Sequence, residues 1–179
     1  MNFEAMNLFL SDSSIKRHLE HLRGERLRYS ILEKSVPELK GCSMSEIVRL
    51  SINRDIKDEA ISLLWYIKAH ECFFNSFCYN QSMGDGGMKH SLSKEKNIYE
   101  IYTEALSHDY GFLFVYPDRQ GNPRIVFAEK SDGAFIKYEP YLAIDLYEHT
   151  YFLDYGFDKK QFLKNSLIYL DISSLDNRT

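Results

Sequence analysis

Cysteine is scarce in this chain: three among 179 residues, Cys42, Cys72 and Cys78. Their number is odd and no C-x-x-C occurs, which excludes a disulfide framework and reads as reduced thiols of an intracellular protein. Long apolar runs are missing as well. No segment approaches the ~20 apolar residues of a membrane span, and the opening MNFEAMNLFL lacks the basic start and cleavage site of a secretory leader. Positive charge is not in excess: Lys and Arg number 22 against 26 Asp and Glu, a net charge of −4. With a pI near 5.9, that balance argues against a chain whose main business is binding phosphate backbones. Tryptophan occurs once, yet aromatics make up 15% through thirteen Tyr and twelve Phe. That points to a bulky core, an aromatic-lined site or a large interface.

Helical spacing dominates the first half. Ser11-Asp-Ser-Ser14 offers N-cap residues before Ile15, His18, Leu19, Leu22, Leu27, Ile31 and Leu32, which places His18 on the packed face with Ile15 and Leu22. Lys16, Arg17, Arg23, Arg26 and Arg28 share this helix, either as a solvated face or as a field that steers an anion. Pro37 and Gly41 end the unit, and Ser43 with Glu46 has capping-box spacing before a short helix. From Asp55 to Cys78 apolar residues cover most of a helix circumference, so His70 is expected to be buried. The stretch 80–87, rich in Gly and Ser, reads as the join between two halves.

After a helix over 93–106 the period shortens to that of strands. Residues 111–116 and 124–127 read as an antiparallel pair about the turn 117–122, and 140–145 as a third strand; a final helix spans 162–170. The expected class is α+β: an N-terminal helical hairpin (1–83), then a C-terminal unit (84–179) with a three-stranded antiparallel sheet and helices.

The third strand leads into IDLYEHTYFLDYG, in which Asp145 and His149 stand four residues apart among aromatics. A buried carboxylate needs a cation, a donor or a proton. Taken alone, the pair reads first as a carboxylate capping a local turn beside a histidine satisfied by a carbonyl, since the spacing by itself is weak evidence for a metal. Together with His18 and His70 it makes a set of three imidazoles and one carboxylate suited to iron, manganese or zinc.

From Leu10 to Leu175 the chain resembles the iron/manganese superoxide dismutases. LSDSSIKRH, ending at His18, is similar to the family's I-S-x-x-T-x-x-x-H opening, Ser43-Met-Ser-Glu-Ile-Val-Arg49 to S-L-E-E-I-I-R, and Ala69-His-Glu-Cys-Phe-Phe-Asn75 to N-H-x-F-Y-W-N. Asp145-Leu-Tyr-Glu-His-Thr-Tyr151 resembles the family's signature D-V-W-E-H-A-Y. The resemblance implies that His18, His70, Asp145 and His149 hold one Fe or Mn ion per chain and that superoxide is the substrate. It also implies a homodimer, or a heterodimer with a related chain, in which Glu148 and Tyr151 belong to the interface and Glu148 reaches toward the partner's ligand histidine.

The chain also departs from the family's pattern. Leu22 and Arg26 stand at the positions of its outer histidine and gating tyrosine, Phe152 at that of the tyrosine bonded to that histidine, and Tyr66 at that of a glutamine near the metal-bound solvent. Phe112, Phe73 and Phe74 replace a tryptophan, a tyrosine and a tryptophan around the metal. Arg26, with Arg23, is expected to attract superoxide, and Tyr66 to face the reacting centre. The alternative is a catalytically silent member serving as a structural subunit, for example of a mitochondrial ribosome, the one setting in which nucleic acid would be near. The expected compartment is the cytoplasm or the mitochondrial matrix.

Overall fold

The computed structural model describes residues 3–78, 92–120, 122–129 and 139–171. A single turn, α1 (Phe3–Met6), precedes the long α2 (Asp12–Ser35); a 3-10 turn at Pro37–Leu39 and the short α3 (Met44–Ile47) lead to α4 (Arg54–Asn75). After α5 (Leu92–Leu106) come β1 (Phe112–Pro117), β2 (Pro123–Ala128) and β3 (Leu142–Asp145), then α6 (Glu148–Tyr155) and α7 (Lys159–Ile168). The sheet is antiparallel with order β2-β1-β3. The expected α+β order, helices first and a three-stranded antiparallel sheet after, is the order observed. The boundary between 1–83 and 84–179 lies outside the described residues, as does the join at 80–87. No helix among the described residues is long and apolar enough to cross a membrane.

Local chemistry sets the helix starts. Ser11 caps α2 by accepting from the Ser14 N–H, Asn53 caps α4 by accepting from Asp55 and Ile56, and Ser43 forms the full capping box with Glu46. In α2 the buried positions are Ser14, Ile15, His18 and Leu22. Leu27 and Ile31, expected on that same face, are instead 62% and 58% exposed. At about 100° per residue they lie some 140° and 180° around the helix from Leu22. The packed stripe of α2 therefore ends before them.

The core joins α2, α4, the sheet and α7 through Trp65, Phe73, Phe74, Phe112, Phe114 and Phe162, all fully buried. One buried hydroxyl locks α4 to the sheet: Ser76 Oγ donates to the Cys72 carbonyl (2.8 Å) and accepts from the Ala143 N–H (2.7 Å). The Asp171 N–H donates to the Ser76 carbonyl at 2.8 Å. These bonds fix the level of His70, on α4, against Asp145, at the end of β3. The entry to β1 needs Gly111, whose φ is +122° and where a Cβ would lie 2.9 Å from the Ala128 carbonyl oxygen. Its own carbonyl accepts from Leu146 (2.9 Å), which pins the chain just past Asp145.

Sequence pattern gives little sign of the helix α6: half of its eight residues, Glu148-His-Thr-Tyr-Phe-Leu-Asp-Tyr155, are aromatic or β-branched and carry low helix propensity. Packing against α2 and α7 holds it. All three cysteines are free, and burial pushes the Cys72 thiol up to about 12.

Candidate metal centre

Three elements meet where α2, α4 and the β3–α6 corner pack together. His18 comes from α2, His70 from α4, Asp145 from the end of β3 and His149 from the first turn of α6. One donor atom from each lies within 4.8 Å of all the others. Asp145 Oδ2 stands 3.1 Å from His18 Nε2, 3.3 Å from His149 Nε2 and 3.7 Å from His70 Nε2. These atoms are close without being aligned as hydrogen bonds: all four are buried and lack a hydrogen-bond partner among the described residues.

That combination is the test of whether a metal fits. Donors bonded to one ion at about 2.1 Å and separated by 90–120° lie roughly 3.0–3.6 Å apart, which is the spacing found around Asp145. Four orphaned buried donors would cost several kcal/mol with nothing between them. A set of three imidazoles and one carboxylate suits iron, manganese or zinc, so the residues present fit such an ion.

The outer atoms of the same residues are held in different ways. Asp145 Oδ1 accepts from the Tyr147 N–H at 2.9 Å. The carboxylate therefore caps the local turn with one oxygen and turns the other to the cluster, joining the two readings its spacing allowed. His70 Nδ1 meets the Tyr66 carbonyl at 2.7 Å, which makes Nδ1 the protonated nitrogen and leaves Nε2 free to ligate. Among the described residues neither nitrogen of His18 finds a hydrogen-bond partner; its ring packs against Phe73 (5.2 Å) and Phe74 (4.9 Å).

Electrostatics divide the set. Burial holds His18 and His70 below the ordinary histidine value, His70 at about 4, so both stay neutral. Burial would raise Asp145, but His149 and His18 beside it hold it well below the usual carboxylate range. His149 is also driven down by burial, yet the adjacent Asp145 charge outweighs that and raises it.

His149 is the exposed member of the four, with 34% of its side chain accessible. It opens into a pocket of about 430 Å³ that also meets His21, Glu25, Arg28, Glu59, Tyr66 and Tyr147. The Tyr147 ring stacks on His149 at 5.6 Å and 16°. Burial, then contact with Tyr66, pushes the Tyr147 phenol far above its ordinary range.

The remaining expected residues are scattered. Tyr66 lines the pocket. Arg26 does not line it; its guanidinium is bound to Glu71 at 2.7 Å, while Arg28, paired with Glu25 at 3.4 Å, does reach the pocket. Glu148 is exposed at the start of α6. Tyr151 is buried in its own chain and stacks on Phe162 at 4.9 Å. Phe152 is exposed and packs edge-on against Phe157, which is 81% exposed.

His21 went unnoticed in the sequence. Its ring lies 5.0 Å from that of His149 and 5.4 Å from that of His70. The available signal was H-x-x-H at 18 and 21 with Glu25 four residues on, which puts His21 and Glu25 together on the flank of α2 beside the buried stripe.

Residues 90–178 match the family model for iron/manganese superoxide dismutases, C-terminal domain. No curated protein matches the chain. The matched segment contains Asp145 and His149, while His18 and His70 lie before it, and the fold brings all four together.

Proposed function

The chain belongs to the iron/manganese superoxide dismutase family by its C-terminal domain, its fold and its His/His/Asp/His cluster, and from that premise we propose that it converts superoxide to dioxygen and hydrogen peroxide. His18, His70, Asp145 and His149 would hold one Fe or Mn ion. The observation that carries this reading is the convergence of four buried, unpaired donor atoms at ligand-to-ligand spacing. When bound, the metal supplies a centre that takes an electron from one superoxide and returns one to another.

The chain's own residues supply the rest. Asp145 offsets part of the ion's charge, and the Tyr66 carbonyl fixes the tautomer of His70. The buried face of Phe73, Phe74 and Phe112 keeps bulk water from the inner side. A small anion enters from the pocket side, where it meets the Tyr66 hydroxyl. The Tyr147 hydroxyl is engaged with the Glu129 carbonyl and burial holds it protonated, so Tyr147 shapes the pocket while Tyr66 is the hydroxyl placed to donate a proton to the forming peroxide. Arg26, tied to Glu71, acts on the field outside the pocket and does not touch the substrate. The partner is a second copy or a related chain, docked on α6 through Glu148 and the exposed Phe152, with the accessible edge of His149 facing it. Tyr151 shapes that face from below. Three free thiols favour a reducing compartment, cytoplasm or mitochondrial matrix.

A second reading keeps the fold and the ion but not the reaction: a structural subunit of a larger assembly, such as a mitochondrial ribosome. The exposed aromatic pair Phe152 and Phe157 favours it. The two readings separate when metal content and superoxide consumption are measured on one sample. Metal-dependent consumption supports the enzyme. A loaded protein that leaves superoxide at its spontaneous decay rate refutes the enzyme and selects the structural subunit.

A further inference from the structure

We propose that Tyr66 and Tyr147 form a paired oxidation site, at which hydrogen peroxide acting on the iron-loaded chain joins their two rings through a carbon–carbon bond. This rests on the reading above, that the cluster holds a redox-active ion. Each tyrosine touches a different ligand imidazole. Tyr147 stacks on His149 (5.6 Å, 16°), and Tyr66 lies against His70 (6.3 Å, 38°). The two hydroxyls meet at 3.4 Å, and both side chains line the pocket onto which His149 opens.

Position and restraint make the pair a site. Tyr147 donates to the Glu129 carbonyl at 2.8 Å, which anchors the hydroxyl end of its ring beside the Tyr66 hydroxyl. Tyr66 is backed by Trp65 at 5.0 Å, edge to face, which limits its swing. The carbons at which phenoxyl radicals couple are those ortho to these two hydroxyls, each one bond from the carbon that bears the hydroxyl, so the 3.4 Å contact sets the two coupling positions at the same junction.

The reaction balances without a further reagent. Each tyrosine gives up one electron and its phenolic proton; the peroxide O–O bond breaks and takes both electrons and both protons, leaving two waters. The two radicals couple at ortho carbons, and migration of each ortho hydrogen to oxygen restores both phenols. The net change in the protein is the loss of one ring hydrogen from each tyrosine. The oxidant is the product assigned to the site, so the bond would form in the course of turnover.

The test treats the full-length chain, loaded with iron, with one equivalent of hydrogen peroxide, and reads intact mass, peptide maps and dityrosine fluorescence. The expected result is a chain lighter by two hydrogens, with the peptides holding Tyr66 and Tyr147 joined. The metal-free chain should give no such product, and neither should Tyr66→Phe or Tyr147→Phe. The variant Tyr110→Phe should still give it, although Tyr110 is exposed and 5.9 Å from Tyr147. Intact tyrosines after treatment, a cross-link that survives Tyr66→Phe, or one that joins two chains through Tyr110 would each overturn the proposal. Superoxide consumption measured on the same samples keeps the two readings apart. Consumption without the cross-link overturns the oxidation site alone, whereas a chain that takes up no iron overturns both.

Discussion

The metal centre has an inner side and an outer side, and they are built on different principles. On the inner side His18, His70 and Asp145 are buried and held by packing, by the Tyr66 carbonyl and by the Tyr147 N–H. On the outer side His149 is accessible, and it is surrounded by His21, Tyr66, Tyr147 and two carboxylates at a pocket mouth. The inner side is a matter of core stability and leaves little freedom of residue choice. The outer side is what a molecule entering the pocket would meet, and there the chain presents two tyrosines, His21 and the carboxylates of Glu25 and Glu59.

The largest effect should come from the inner side. Asp145→Ala removes the counter-charge beside two buried imidazoles and the partly accessible His149, and is expected to abolish metal uptake and to leave the chain about 3–5 kcal/mol less stable than the loaded parent. Urea unfolding with elemental analysis checks it, and a loss below 1 kcal/mol would erase the distinction between the two sides. Second comes the pH dependence of the metal-free protein. His70 has a folded value of about 4 against 6.5 when unfolded, so the unfolded chain binds the extra proton. Stability should fall by roughly 3 kcal/mol as pH drops from about 6.5 to 4. His149, raised in the fold, works with opposite sign: its stabilisation is full below 6.5 and fades as pH rises through its folded value. Unfolding curves across this range should show His70→Ala flattening the acid limb and His149→Ala removing the loss at higher pH.

His149→Ala, on the outer side, should abolish superoxide consumption while costing only about 1–2 kcal/mol of stability, since its neighbours are partly solvated. The smallest effect concerns charge. Glu59 lines the mouth, so Glu59→Gln should raise the rate with superoxide by roughly twofold at low salt and leave it unchanged at high salt. A salt-independent change would show that Glu59 acts by shape.

The sequence was more legible on the inner side. Period and capping placed His18 with Ile15 and Leu22, and His70 inside a helix apolar nearly all round, because burial imposes a pattern on its neighbours. The outer side imposes none. His21 sits on a helix flank where polar and apolar residues alternate without period, and Arg26 points to Glu71 for reasons that depend on where α4 lies. Leu27 and Ile31 continue the apolar run of α2 in the sequence, yet they lie on the far face of the helix from Leu22 and are exposed. Asp145 kept two readings because a carboxylate has two oxygens, and each took one role.

The central claim is that these four residues hold one ion. It is tested most directly by titrating the metal-free protein with Mn(II) or Fe(II) under anaerobic conditions and counting the metal retained after desalting. One ion per chain is expected, lost in Asp145→Ala; a folded chain that retains none, or retains as much without Asp145, would refute the ligand set.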